Sequence, residues 1–93
     1  MTNLNNIIFY DSFPKLDLHG FDSETARVAI NDFIKDNQKM KNEVILFVHG
    51  NGSGILKNIT EQTLKKNKNV LEFKRIIGNT GCTVARISFD TKR

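Results

Sequence analysis

Aromatic variety is missing from this chain: it has no tryptophan and one tyrosine against seven phenylalanines, in 93 residues. That length makes one domain and excludes large two-domain enzymes. Its core must be small and built from phenylalanine and aliphatic residues. The single cysteine, Cys82, excludes an internal disulfide and a cysteine-based zinc finger. The longest strongly apolar run covers residues 44–48, far short of the ~20 residues a membrane span needs. Residues 1–6 are polar and lack the basic stretch followed by an apolar one that marks a signal peptide. Together these absences point to the cytoplasm and away from a membrane. Proline occurs once, at Pro14, where it biases Phe13 toward extended geometry and marks a boundary.

Charge is present and uneven. There are 14 basic and 10 acidic residues, a formal net charge of +4. All of the excess falls in residues 57–75, where Lys57, Lys65, Lys66, Lys68, Lys74 and Arg75 face only Glu61 and Glu72. A localised basic excess suits a polyanionic partner such as RNA or DNA. A solvated lysine-rich face explains the same excess without any partner.

Along the chain, residues 1–13 read as an arm, flexible or docked, residues 14–90 as the folded domain, and 91–93 as a tail. Residues 16–19 read as a short strand, with Leu16 and Leu18 on one face and Asp17 and His19 on the other. Asp22 is a good helix N-cap, with Glu24 in the first turn. The helix that follows runs to about residue 41, with an apolar stripe of Ala26, Ala29, Ile30, Phe33 and Ile34 that Met40 closes. Residues 43–48 form the clearest strand, apolar throughout and suited to a central position. A glycine-rich loop follows, and then a second helix over 55–66 with Leu56, Ile59, Thr63 and Leu64 inward. Residues 70–76 read as a strand with Phe73 inward, 78–81 as a turn, and 83–89 as the last strand. Thr83, Ala85, Ile87 and Phe89 share one face of that strand. The order is β-α-β-α-β-β: an α/β fold with a two-layer mixed four-stranded sheet and two helices. The strand–helix–strand unit forms a parallel pair, and the last two strands pair antiparallel.

The chemistry-bearing residues gather where the parallel strands end, the usual place for sites in open α/β sheets. Both strand ends carry the dipeptide His-Gly, His19-Gly20 and His49-Gly50, and these are the only histidines. Asp17 precedes His19 by two residues, a spacing that brings its carboxylate toward the imidazole and tunes its orientation and basicity. A polar turn at a strand end is the plainer reading. The loop Gly50, Asn51, Gly52, Ser53 and Gly54 permits tight turns and close backbone approach. It opens a helix, whose N–H groups attract an anion, and Ser53 adds a hydroxyl that can donate or cap. It fits neither the Walker A nor the dinucleotide fingerprint. No nucleotide cofactor is expected, and one backbone phosphate is the better match.

These pieces resemble the small MutS-related, or Smr, domain family. The resemblance rests on Leu16-Asp17-Leu18-His19-Gly20, on Val48-His49-Gly50-Asn51-Gly52-Ser53-Gly54, and on Gly78-Asn79-Thr80-Gly81-Cys82-Thr83-Val84. It covers about residues 14–89 and identifies a stand-alone member. It implies a fold similar to the C-terminal domain of a bacterial translation initiation factor, DNA or RNA binding, endonuclease activity and ribosome association. It places Asp17 and His19 at the family's catalytic Asp-x-His positions. It places His49 with Gly50, Gly52 and Gly54 in the substrate-binding loop. Asn51 departs from the family, which usually carries Lys or Arg there. The lost charge weakens phosphate binding unless Lys57 or Lys74 supplies it, beside Lys65 and Lys66 on the second helix. The chain has no MutS ATPase and cannot recognise mismatches by that machinery.

The expectation is therefore a nucleic-acid-binding domain that cleaves phosphodiesters with Asp17, His19 and His49. With RNA, His19 activates the 2′-hydroxyl, while His49 binds the phosphate or protonates the leaving oxygen. RNA is favoured over DNA, because cleaving DNA requires an attacking water and calls for a divalent metal. No metal site is assigned. The alternatives are a DNA- or RNA-binding module without catalysis, or a protein-interaction module. Cys82 is expected to be a packed side chain rather than a nucleophile.

Overall fold

The computed structural model describes residues 13–50, 54–76 and 79–89. Residues 1–12 of the expected arm and the expected tail lie outside them, as do Asn51, Gly52 and Ser53 of the glycine loop. The elements are β1 (Lys15–Asp17), α1 (Ser23–Lys39), β2 (Val44–Val48), α2 (Ile55–Lys66), β3 (Val70–Ile76) and β4 (Asn79–Ile87). The strands form one sheet in the order β1-β2-β4-β3. β1 pairs parallel with β2, and β4 runs antiparallel between β2 and β3. The mixed four-stranded α/β sheet with two helices is the expected fold.

Both helices lie on one face of the sheet. Ala26, Ile30 and Ile34 of α1 and Leu64 of α2 bury against Leu18, Ile45, Phe47, Ala85 and Ile87. Phe47, the largest fully buried side chain, meets Phe33 edge-on at 5.8 Å between ring centroids. The other face carries a second apolar cluster of Val44, Leu46, Ile76, Cys82 and Val84, with Phe13 and Val48 packed on it. β2 and β4 feed both clusters, which explains the unbroken apolar run of β2.

Several boundaries and faces differ from the expectation. β1 stops at Asp17, because Gly20 follows in the left-handed region (φ 82°) and turns the chain off the sheet edge. Residues 79–81 are strand rather than turn, since Asn79 already pairs with Ile76. Met40 does not close the α1 stripe. It sits at the C-cap and is 61% exposed, while Asn37 and Gln38 are buried in its place. Their amides are satisfied: Asn37 donates to the Phe33 carbonyl at 2.8 Å and Gln38 to the Ser88 carbonyl at 3.0 Å. Phe89 lies beyond the end of β4 and is exposed. On α2, Thr60 is fully buried because its hydroxyl donates back to the Leu56 carbonyl.

Candidate functional site

β1 and β2 end side by side. Asp17 pairs with Val48, and the Leu18 amide donates to the Val48 carbonyl at 2.8 Å. The two His-Gly dipeptides therefore follow on adjacent strands at one rim. The repeated glycine has a backbone reason: Gly50, like Gly20, adopts a left-handed conformation (φ 80°) that a side chain would strain.

The two histidines occupy opposite environments. His19 is exposed in the turn after β1. Asp17 Oδ1 accepts from the His19 main-chain N–H at 2.9 Å. The expected carboxylate–imidazole alignment relied on strand alternation, which ends at Asp17. Asp17 instead fixes the backbone that presents His19, as an Asx turn does. Across the sheet, Asp17 aligns with Val48 and Cys82 of the second cluster, on the face away from the helices.

His49 is buried, 6% exposed, on the helix side. Its main-chain N–H extends the ladder by donating to the Gly81 carbonyl at 2.9 Å. Nδ1 lies 3.1 Å from the Gly50 carbonyl and Nε2 lies 2.8 Å from Thr83 Oγ1. A carbonyl only accepts, so Nδ1 carries a proton and donates to it. In the neutral ring, the Thr83 hydroxyl then donates to Nε2. Thr83 is the partner that sequence reasoning missed. Its signal was a polar residue on an otherwise apolar face of β4, in register with Phe47.

A cavity of 440 Å³ opens between the N-termini of the two helices. Gly20, Phe21, Asp22, Ser23, Gly54 and Ile55 line it, with His49 and Leu56. Asp22 caps α1 by accepting from the Thr25 amide at 2.8 Å, and these hydrogen bonds to Thr25 hold its carboxyl below the usual carboxylate range. Gly54 caps α2 in a left-handed conformation (φ 88°) without a side-chain bond.

The expected phosphate contacts are dispersed. Lys57 is half-buried in the first turn of α2, near the cavity. Lys65 and Lys66 are exposed in the last turn, about 12–14 Å further along the helix at 1.5 Å per residue. Lys74 is half-buried on β3, in register with Val84 of the second cluster, on the face away from the helices. Part of the basic excess is balanced locally, since Arg75 bonds Glu61 at 2.9 Å. Among the described residues, no three His, Cys, Asp or Glu side chains come together as a metal site would require. No helix among them is long and apolar enough to cross a membrane. Cys82 is buried in the second cluster. Burial pushes its thiol up, while Lys15 pulls it down and Asp17 adds to the rise.

The chain is 34% identical over 76 residues to Endonuclease MutS2 of Staphylococcus carnosus, covering 78% of this chain and 10% of the relative. Endonuclease MutS2 of Staphylococcus aureus matches at 32% over 76 residues, with 78% of this chain and 11% of the relative covered. The chain thus spans about a tenth of the length of these relatives. The structure superposes on the Smr domain of Thermus thermophilus MutS2 with a TM-score of 0.77 at 22% identity, covering 80% of this chain and 96% of that one. It superposes on YdaL, a stand-alone small MutS-related protein from Escherichia coli, with a TM-score of 0.74 at 18% identity, covering 80% and 63%. The Smr domain profile matches residues 16–88, which span the rim, both helices and the sheet, and the chain belongs to the Smr domain family.

Proposed function

We propose that this domain binds nucleic acid at the rim of β1 and β2 and cleaves its phosphodiester backbone, with RNA preferred over DNA. The observation that carries the reading is the exposed His19, set by the Asp17 turn beside the His49-Gly50 loop that leads to α2. The names of the MutS2 relatives support an endonuclease reading. Imidazole is the side chain suited to both taking and giving a proton in general acid–base work. In the proposed reaction, His19 takes the proton of a 2′-hydroxyl, the 2′-oxygen attacks the adjacent phosphorus as the P–O5′ bond breaks, and the 5′-oxygen leaves with a proton drawn from solvent, giving a 2′,3′-cyclic phosphate. His49 serves this step through its bonds to Thr83 and the Gly50 carbonyl, which brace the strand end where the glycine loop begins. Lys57 and the N-terminus of α2 favour the phosphate electrostatically, and Lys65 and Lys66 hold the strand further along α2.

Binding through phosphates is strongly salt-dependent. Labelled single-stranded RNA, structured RNA and branched DNA titrated at rising salt should all give affinities that fall steeply. Absence of salt-sensitive binding to every one of them would overturn the reading and favour a protein-interaction module.

A further inference from the structure

The cavity between the helix N-termini borders the rim at His49 and Gly54, but the rest of its lining has no part in the proposed phosphodiester chemistry. Its 440 Å³ falls in the ~300–1,000 Å³ range of small-molecule sites. Phe21, Ile55 and Leu56 give it apolar surface, and Ile55, the first residue of α2, is 58% exposed. An aliphatic side chain so exposed adds little to the core. Asp22 and Ser23 give the lining its polar part. The Thr25 amide and hydroxyl both donate to the Asp22 carboxylate, which is exposed and has about four lone-pair sites, so acceptor capacity remains. The hydrogen bonds to Thr25 keep Asp22 ionised at neutral pH. A fixed negative charge repels phosphate, so the Asp22 side of the cavity does not suit the backbone itself. Apolar surface beside an acceptor-only carboxylate suits a flat heterocycle with N–H donors on its edge.

We propose that the cavity is a nucleobase subsite, which takes one unstacked base of the bound strand and favours guanine. Guanine offers N1–H and its 2-amino group together, a pair that matches the Asp22 carboxylate, while Phe21, Ile55 and Leu56 contact the ring. This inference rests on the nucleic-acid reading of the rim and adds a substrate class to it. A duplex occupies the Watson–Crick edge, so the substrate is single-stranded or looped.

The test uses fluorescein-labelled 2′-O-methyl uridine hexamers, which the proposed cleavage cannot consume. One central position carries guanine, inosine or an abasic residue, and binding is read by fluorescence anisotropy. Inosine keeps N1–H and lacks the 2-amino group. The guanine hexamer should bind about tenfold more tightly than either of the others. Asp22→Asn preserves an N-cap residue type and should abolish the preference for guanine over inosine. Ile55→Ala, on the surface, should narrow the gap between guanine and abasic hexamers. Salt-sensitive binding that is equal for all three hexamers would overturn the subsite and leave the nucleic-acid reading standing. Failure to bind any hexamer, or RNA and DNA of any kind, would overturn both.

Discussion

His19 and His49 share a dipeptide and a sheet edge, yet one ring is exposed and the other is held at both nitrogens. If His19 performs proton transfer, His19→Ala should lower turnover by roughly 10²–10⁴-fold and leave binding nearly unchanged, as single-turnover and equilibrium measurements would separate. Thr83→Val keeps the shape of the side chain but leaves His49 Nε2 buried without its hydroxyl. It should cost about 1–3 kcal/mol in chemical denaturation. Equal stability to wild type would show that the pair does not brace the strand end. Asp22 predicts a pH dependence. Its folded-state pKa is lowered, so its stabilisation is complete above the ordinary value near ~3.9 and is lost as pH falls through the lowered folded value. Melting temperatures followed down through acid should show Asp22→Asn lacking that component of the decline.

At the scale of elements, the parallel β1–β2 pair does two things: it brings two strand ends to one rim and sends both helices over one face. Phe47 at the centre of β2 anchors that packing, and Phe47→Ala should cost about 3–5 kcal/mol by denaturant titration. α2 was legible in its bounds and in most of its inward stripe, because the glycine loop starts it and its apolar spacing marks that face. β1 was legible as a strand but not in its length, because Gly20 ends it through a backbone conformation that side-chain alternation does not reveal. The same limit hid the Asp17 bond to the His19 amide. The rim could be read from the two His-Gly pairs. The burial of His49 could not, since its partner Thr83 lies 34 residues away and meets it only through the antiparallel register of β2 and β4. Buried Asn37, Gln38 and Thr60 also escaped pattern reasoning, because each is admitted by a specific hydrogen bond rather than by hydropathy.

Across the whole molecule, basic charge and site chemistry are set apart along α2. Lys65 and Lys66 stand at the far end from the cavity, so under the proposed function they contact a strand long enough to reach both. Replacing both with alanine should weaken binding of long single strands and flatten its salt slope, with little effect on cleavage at saturation. Ion pairs hold Arg75 and Arg86 against Glu61 and Glu72, while Lys65 and Lys66 are exposed at the end of α2. Cleavage at the rim is the central claim. Its most direct test incubates purified wild-type and His19→Ala proteins side by side with RNA and DNA substrates, with and without chelator. Wild type should cleave RNA, still do so in chelator, and lose that activity with His19→Ala while RNA binding persists. Equal cleavage by the two proteins, or none by wild type across varied substrates, would contradict it.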